Sequence, residues 1–228
     1  MNQTDLTVIH GRRRFYCRQP YALPQKERLW QHSGGGQETA MRLVLARSGV
    51  EHLCLDVSNE TNCQRVFEGA KEVYNLAADM GGMGFIERFR VECLRSVLIN
   101  THMTEAAYRA GADRYFFSSS ACAYNTSLQN DPNVRALKES DAYPALAERG
   151  YGWEKLFSEM VCQEYSYERG MRTFVARFHN VYGPHGTWDG VREKAPAAIC
   201  RKMIEAIGKN DFRITIWSDG KQTQFDVR

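Results

Sequence analysis

The chain has 228 residues and a net charge of +3, and 43% of its residues are hydrophobic. This length and composition indicate a globular protein with one sizeable core and part of a second domain. The small net charge argues against a nucleic-acid partner. The sequence contains no run of about 18 apolar residues, which is the length that predicts a membrane-spanning helix. The seven cysteines lack the spacing of a zinc or other metal site or of a disulfide framework, and no apolar secretion signal precedes them. A cytoplasmic protein is therefore expected.

Strands and helices are predicted to alternate from residue 51 onward. Residues 1–50 show no regular pattern beyond a weak helical one at 38–48. The apolar periodicity then predicts strands over 52–56, 72–78, 114–119, 173–178 and 213–217, and helices over 61–69, 86–110, 151–168 and 196–207. Short connections between such elements are typical of an α/β fold with a doubly wound parallel sheet of the Rossmann type.

Polar side chains with catalytic potential follow the predicted strands. Tyr151 and Lys155 are four residues apart and share one helix face, and a serine run at 118–120 ends the third main strand. A Lys ammonium is expected to lower the pKa of a nearby Tyr, so that the phenol exchanges a proton near neutral pH. Together with a serine hydroxyl, this set suits hydride chemistry at a carbinol. The Tyr/Lys spacing alone is more typical of an ordinary helix face.

Several separated segments agree, in order, with one known family. They are YNLAADMGGMGFI (74–86), YFFSSSACAY (115–124), LKESDAYPA (137–145), YGWEKL (151–156), RFHNVYGPHGTWDGVREKAPAAICRK (177–202) and WSDGKQT (217–223). Over about residues 51–223 the chain resembles the extended short-chain dehydrogenase/reductase superfamily, that is, the NAD-dependent epimerases and dehydratases. Within it the chain is most similar to the GDP-mannose 3,5-epimerases, which are nucleotide-sugar isomerases.

The resemblance implies a reaction and assigns its residues. Such enzymes use NAD to oxidise the sugar transiently at C4, exchange protons at C3 and C5, and reduce C4 again. Tyr151 then corresponds to the base at the C4 hydroxyl, Lys155 to its activator and ribose contact, and Ser120 to the hydrogen-bond partner at C4. Cys122 and Lys194 correspond to the acid/base pair at C3 and C5. A thiolate beside a cation has a lowered pKa, and the pKa of a lysine in a cleft is lowered as well.

Binding residues are implied by the same resemblance. The residues matched to NAD, besides Tyr151 and Lys155, are Asp56, Val57, Leu76, Ala77 and Ala78. The residues matched to the GDP-sugar, besides Ser120 and Lys194, are Gly81, Gly82, Met83, Gly84, Asn180, Lys202 and Gln222. Family members pair as homodimers through two long helices, here 86–110 and 151–169. Without the resemblance, the glycine run is equally typical of a surface turn. Cys122 is then more typical of a buried thiol at a strand end, and Lys194 is more typical of a surface lysine near a helix start.

The chain departs from the family at both ends. Residues 1–50 lack the G-x-x-G-x-x-G pattern that brings backbone N–H groups to the pyrophosphate of NAD. We therefore expect a degenerate first βαβ unit in residues 1–50, a Rossmann-like NAD-binding core over 51–180, and a partial substrate domain over 181–228. Weak or no turnover is expected. The alternatives are a non-catalytic remnant of this family, and a sugar-nucleotide 4-epimerase or 4,6-dehydratase.

Overall fold

The computed structural model describes residues 6–10, 16–19, 51–53, 55–129, 136–181, 187–216 and 226–227. Its strands are β1 (Leu6–His10), β2 (Tyr16–Gln19), β3 (Glu51–Leu53), β4 (Glu72–Leu76), β5 (Arg114–Ser120), β6 (Arg172–Phe178), β7 (Asn180–Val181) and β8 (Asp226–Val227). Its α-helices are α1 (Glu60–Val66), α2 (Met83–Arg88), α3 (Arg90–Leu94), α4 (Ser96–Arg109), α5 (Tyr151–Arg169) and α6 (Ala195–Gly208). The main sheet has the order β3-β2-β1-β4-β5-β6, and β7 pairs with β8.

The central strands confirm the predicted parallel sheet, since β1, β4, β5 and β6 run parallel to one another. The strand predicted at 52–56 is shorter, and it does not pair in parallel. It forms β3, which lies antiparallel to β2, and β2 lies antiparallel to β1. Two reversals make β3 point the same way as β1. Its carboxyl end therefore lies at the same edge of the sheet as the carboxyl ends of the four parallel strands.

Sequence periodicity missed or misplaced several elements. It did not predict β1 and β2, and it wrongly predicted a strand at 213–217, because residues 213–216 form no regular structure. In that segment the carbonyl of Thr215 accepts a hydrogen bond from Lys202 Nζ at 2.6 Å, instead of joining a strand ladder. The helical pattern at 38–48 and Trp217 lie outside the described residues.

The helix predicted over 86–110 is divided into α2, α3 and α4. The backbone of Phe89, at φ −116° and ψ 47°, leaves the helical region between α2 and α3. Its ring stacks on Phe85 with the centroids 4.9 Å apart, while the side-chain stem of the next residue, Arg90, lies against Gly150. The break separates the short helix α2, which begins within the glycine-rich loop at 81–84, from α3 and α4. Gly111, at φ +72°, follows the end of α4 as the sequence predicts.

The main core lies between the sheet and the helices α1, α4 and α5. Its largest buried side chains include Phe67, Ile99, Met103, Tyr115 and Phe117. Side chains of β5 alternate between buried and part-exposed positions, as expected for a strand with one covered face. No helix of the described residues is both long enough and apolar enough to cross a membrane.

Candidate active site

The amino end of α5 touches the turn that follows β5. Residues 121–123 form a 3₁₀ helix, and the carbonyl of Cys122 accepts the N–H of Glu148 at 3.0 Å. A Cβ added at Gly152 would lie 2.2 Å from this carbonyl oxygen and 2.9 Å from Cβ of Glu148. Only a glycine therefore allows the first turn of α5 to approach this closely. The sequence motif contained Gly152 without indicating this role.

This approach brings three predicted residues together. Tyr151 and Lys155 lie on the first turns of α5, both buried, and the side chain of Ser120 lies near enough to Tyr151 to lower its pKa. The ammonium of Lys155 donates to the carbonyl of Ser118 at 3.1 Å and lies 5.5 Å from the centre of the Tyr151 ring. A phenol, a hydroxyl and an ammonium thus meet at the carboxyl end of β5.

The electrostatics of Tyr151 differ from the expectation. Burial, followed by the charges of Glu154 and Cys122, raises the pKa of Tyr151 well above 10.0, against a smaller lowering by Ser120. The expected lowering by Lys155 is wrong for this structure. The Lys155 ammonium is engaged by the Ser118 carbonyl and lies 3.9 Å from the Glu154 carboxylate, so its charge is already balanced nearby.

Cys122 and Lys194 also interact electrostatically. Lys194 is the residue before α6, and each of the two groups affects the ionisation of the other. Burial raises the pKa of the Cys122 thiol above 9.0, and Ser120 and Lys194 oppose this only in part. The expected lowering of the Cys122 pKa is therefore wrong. The pKa of Lys194 is lowered by burial, as expected.

The residues matched to NAD lie along the carboxyl edge of the sheet. Ala77 is buried and Leu76 and Ala78 are half-buried where β4 ends, and Asp56 and the buried Val57 follow β3. The carboxylate of Asp56 accepts the N–H of Ser58 at 2.9 Å and its hydroxyl at 2.6 Å. The donor set of Tyr151 and Lys155 fits the nicotinamide ribose, because a phenol and an ammonium with N–H groups to spare can hold hydroxyl oxygens.

The residues matched to the sugar nucleotide are spread more widely. Gly81 and Gly82 are buried, Gly84 is half-buried and Met83 is exposed at the start of α2. Asn180 lies in β7, and Lys202 lies on α6. Gln222 lies outside the described residues. Within the described residues, no group of three or more His, Cys, Asp or Glu side chains is placed to hold a metal ion.

A buried polar network beneath the site was not predicted. Asn75 Nδ2 donates to Asn100 at 2.8 Å and to the hydroxyl of Tyr115 at 2.9 Å. Asn100 Nδ2 in turn donates to the carboxylate of Glu154 and to the hydroxyl of Ser158 at 3.0 Å. The network connects β4, β5, α4 and α5. Polar residues at apolar-spaced helix positions, here Asn100 and Glu154, were the sequence signal for it.

The close contact at Gly152 predicts the effect of an added methyl group. Gly152→Ala should lower the free energy of unfolding by about 1–3 kcal/mol, because the helix must move away from Cys122. The matched control is Gly208→Ala at the end of α6, where a Cβ would meet nothing within 4 Å. This control should be neutral or stabilising by up to about 1 kcal/mol. Urea unfolding of both variants measures the difference, and equal stabilities would contradict the described contact.

The ionisation of Cys122 predicts its reactivity. Since the thiolate is the nucleophile, alkylation by iodoacetamide should rise with pH to a midpoint above 9.0. Lys194→Met removes a cation that favours the thiolate, so the midpoint should move higher still. Peptide mass spectrometry measures the rate against exposed Cys200 in the same chain. Lys209→Met, at the far end of α6, is the control. If the alkylation rate of Cys122 depends on pH in the same way in Lys194→Met as in the parent chain, the interaction between Lys194 and Cys122 is contradicted.

The amino-acid sequence is similar to those of known proteins. The family model described as NAD dependent epimerase/dehydratase family matches residues 20–224. GDP-mannose 3,5-epimerase 1 of Oryza sativa subsp. japonica is 48% identical over 171 residues, which are 75% of this chain and 44% of that protein. GDP-mannose 3,5-epimerase of Arabidopsis thaliana is 47% identical over 171 residues, again 75% of this chain and 44% of that protein. The chain thus spans less than half the length of these curated relatives.

A solved structure supports the same fold. UDP-glucose 4-epimerase of Thermotoga maritima, determined with UDP-glucose, has a TM-score of 0.61 to this chain at 21% sequence identity. The match covers 75% of this chain and 52% of that chain, and at this identity it shows the fold alone. The family model, in contrast, covers most of the sequence, including the motifs around Ser120, Tyr151 and Lys194. The chain belongs to the NAD-dependent epimerase/dehydratase family.

Proposed function

We propose that the chain carries the catalytic centre of an NAD-dependent nucleotide-sugar epimerase that acts on a GDP-mannose-type sugar at C3 and C5. The observation that carries the proposal is the meeting of two chemical sets in one place. Tyr151, Lys155 and Ser120 form a set suited to a carbinol, and Cys122 with Lys194 forms a second acid/base pair beside it. The similarity to the plant GDP-mannose 3,5-epimerases supports the same substrate class.

The proposed division of work follows from the positions of the groups. NAD, when bound, supplies the hydride acceptor for C4 and returns the hydride at the end. Ser120 holds the C4 oxygen, and Tyr151 takes and later returns the hydroxyl proton. Lys155, fixed by the Ser118 carbonyl, holds the ribose and orients the phenol. Inverting a carbon needs a proton removed from one face and delivered to the other, and Cys122 and Lys194 provide the two groups.

The glycine-rich loop and the start of α6 are assigned to substrate binding. Buried Gly81 and Gly82 let backbone groups approach the sugar, a role that glycine allows because it has no Cβ. Lys202 is assigned to the diphosphate, where an ammonium is an effective partner. It would exchange its present bond to the Thr215 carbonyl for that contact. Asn180 and Gln222 remain assigned to the sugar nucleotide by resemblance.

The proposal predicts proton exchange with solvent. NAD binding is first measured by calorimetry on the purified full chain, and GDP-mannose is then added in deuterated water. We expect deuterium to enter at C3 and C5, slowly, because residues 1–50 lack the glycine pattern for the pyrophosphate. Tyr151→Phe should abolish exchange at both carbons, since C4 oxidation must come first. Cys122→Ala should reduce exchange by about 100-fold or more while nicotinamide reduction continues.

Two other outcomes would overturn the proposal. A folded chain that binds no NAD would be a non-catalytic remnant of the family. Inversion at C4 without deuterium at C3 or C5 would indicate a 4-epimerase instead. Tyr167→Phe, on the exposed carboxyl-terminal part of α5, is the matched control for Tyr151→Phe.

Homodimerisation through α3, α4 and α5 is part of the proposal. Trp153, Phe157 and Met160 are 43–47% exposed on one face of α5. On α3 and α4, Val91, Leu94 and Leu98 are 43–69% exposed with helical spacing. Two adjacent apolar stripes of this kind are typical of a helix-bundle interface.

The interface predicts a change in assembly on inserting a charge. Phe157→Glu should convert the dimer to a monomer, because a carboxylate would be buried without a partner. Phe212→Glu, at a side chain that is 76% exposed beyond α6, should leave the dimer intact. Sedimentation velocity at micromolar concentration measures both. A monomeric parent chain, or a dimer that tolerates Phe157→Glu, would refute this interface.

A further inference from the structure

Arg192 connects two segments of the site that are far apart in sequence. It ends the 3₁₀ turn Gly190–Arg192, two residues before Lys194. Its Nη1 atom lies 2.7 Å from the carbonyl oxygen of Met80, to which it donates, and 2.7 Å from Oδ1 of Asp79. Its guanidinium carbon lies 3.5 Å from the centre of the Phe85 ring. The guanidinium therefore contacts both ends of the glycine-rich loop at 81–84.

The backbones of the two segments also meet. The N–H of Gly82 donates to the carbonyl of Arg192 at 3.1 Å. A Cβ at Gly81 would lie 3.0 Å from Cα of Arg192, and a Cβ at Gly82 would lie 2.1 Å from the carbonyl oxygen of Glu193. Gly81 and Gly82 are thus required by the segment that carries Lys194, in addition to any contact with a sugar.

The ion pair that holds this contact is largely removed from solvent. The side chains of Arg192 and Asp79 are 18% and 11% exposed. Separating a pair in such a place leaves a charge with poor solvation, so the pair strongly favours one arrangement of the two segments. The planar guanidinium also stacks on an aromatic ring while it donates, which a lysine does less well.

We propose that Arg192 is a positioning residue, which locks the Lys194 segment onto the glycine-rich loop and so fixes where the Lys194 ammonium lies relative to Cys122. This inference rests on the proposed function and adds a residue that its motifs do not assign. Beyond Lys194, α6 leaves Ile204 and Ile207 more than 60% exposed within the described residues. The Arg192 contacts join the segment before α6 to the glycine-rich loop. In this proposal a single side chain positions both the glycine-rich loop and the segment that carries Lys194.

The test uses the reactivity of Cys122, which requires neither NAD nor substrate. The groups that face this thiol are Glu148, Tyr151, Ser120 and Lys194. If Arg192 acts through Lys194, Arg192→Met should slow iodoacetamide alkylation of Cys122 at mildly alkaline pH by roughly threefold to tenfold, as Lys194→Met does. The double variant should match Lys194→Met alone. Arg192→Lys should recover part of the rate, and exposed Arg213→Met should leave it unchanged.

If Arg192 only stabilised the fold and did not position Lys194, the alkylation rates would differ from those expected above. Loosening of the fold would speed the alkylation of Cys122, and the effect would add to that of Lys194→Met. Either result, or an unchanged Arg192→Met profile, would overturn the proposal. If Arg192→Met does not fold, Gly82→Ala carries the test, because it separates the same segments without altering a charge and should slow alkylation likewise.

The exchange assay separates this proposal from the proposed function. Where the parent chain exchanges deuterium at C3 and C5, Arg192→Met should lower that exchange about tenfold or more while Tyr151-dependent nicotinamide reduction persists. Where the parent chain shows no exchange, the proposed function fails. The alkylation result then still decides whether Arg192 positions Lys194.

Discussion

The site depends on the contact between the first turn of α5 and the carbonyl of Cys122. This contact needs a glycine at 152, and it places Tyr151 beside Ser120 and the Cys122 thiol beside both. The turn after β5 and the start of α5 are separated in sequence by a long connection, so their register is set by packing. A shift of α5 by a fraction of its rise per residue would separate the phenol from the hydroxyl.

The buried polar network secures this contact from below. A carboxyl at Glu154 and amides at Asn75 and Asn100 are costly to bury unless they are bonded, and the network bonds them to one another. Because the bonds are directional, α4, α5 and β4 can satisfy them in only one relative position. Burial raises the pKa of Glu154, although Lys155, Ser158 and Asn100 oppose the shift. The network thus favours a fixed geometry over maximal stability.

The sequence indicated most of the centre and little of its surroundings. Ser120 ends a parallel strand and Tyr151 begins the helix that follows, and carboxyl ends of parallel strands share one edge, so periodicity predicts that they lie at the same edge of the sheet. Their contact itself depends on packing at Gly152. The antiparallel β2 was not predictable, because strand direction is decided by pairing and not by local pattern. The break at Phe89 is a departure of one residue's backbone from helical angles, which the apolar spacing of the segment does not encode. The roles of Gly152 and Arg192 depend on contacts between distant segments, which no local spacing encodes.

The pKa values show why the spacing of Cys122 and Lys194 matters. Burial favours the neutral thiol and the neutral amine, while mutual attraction favours thiolate and ammonium. The two effects act in opposite senses on the position of one proton. Burial is fixed by the depth of the site, whereas the attraction grows steeply as the two groups approach. The distance between Cys122 and Lys194 is therefore the variable that decides how readily the two groups exchange a proton. In the proposal made above, this distance depends on the Arg192 contacts to Met80 and Asp79, which join the Lys194 segment to the glycine-rich loop.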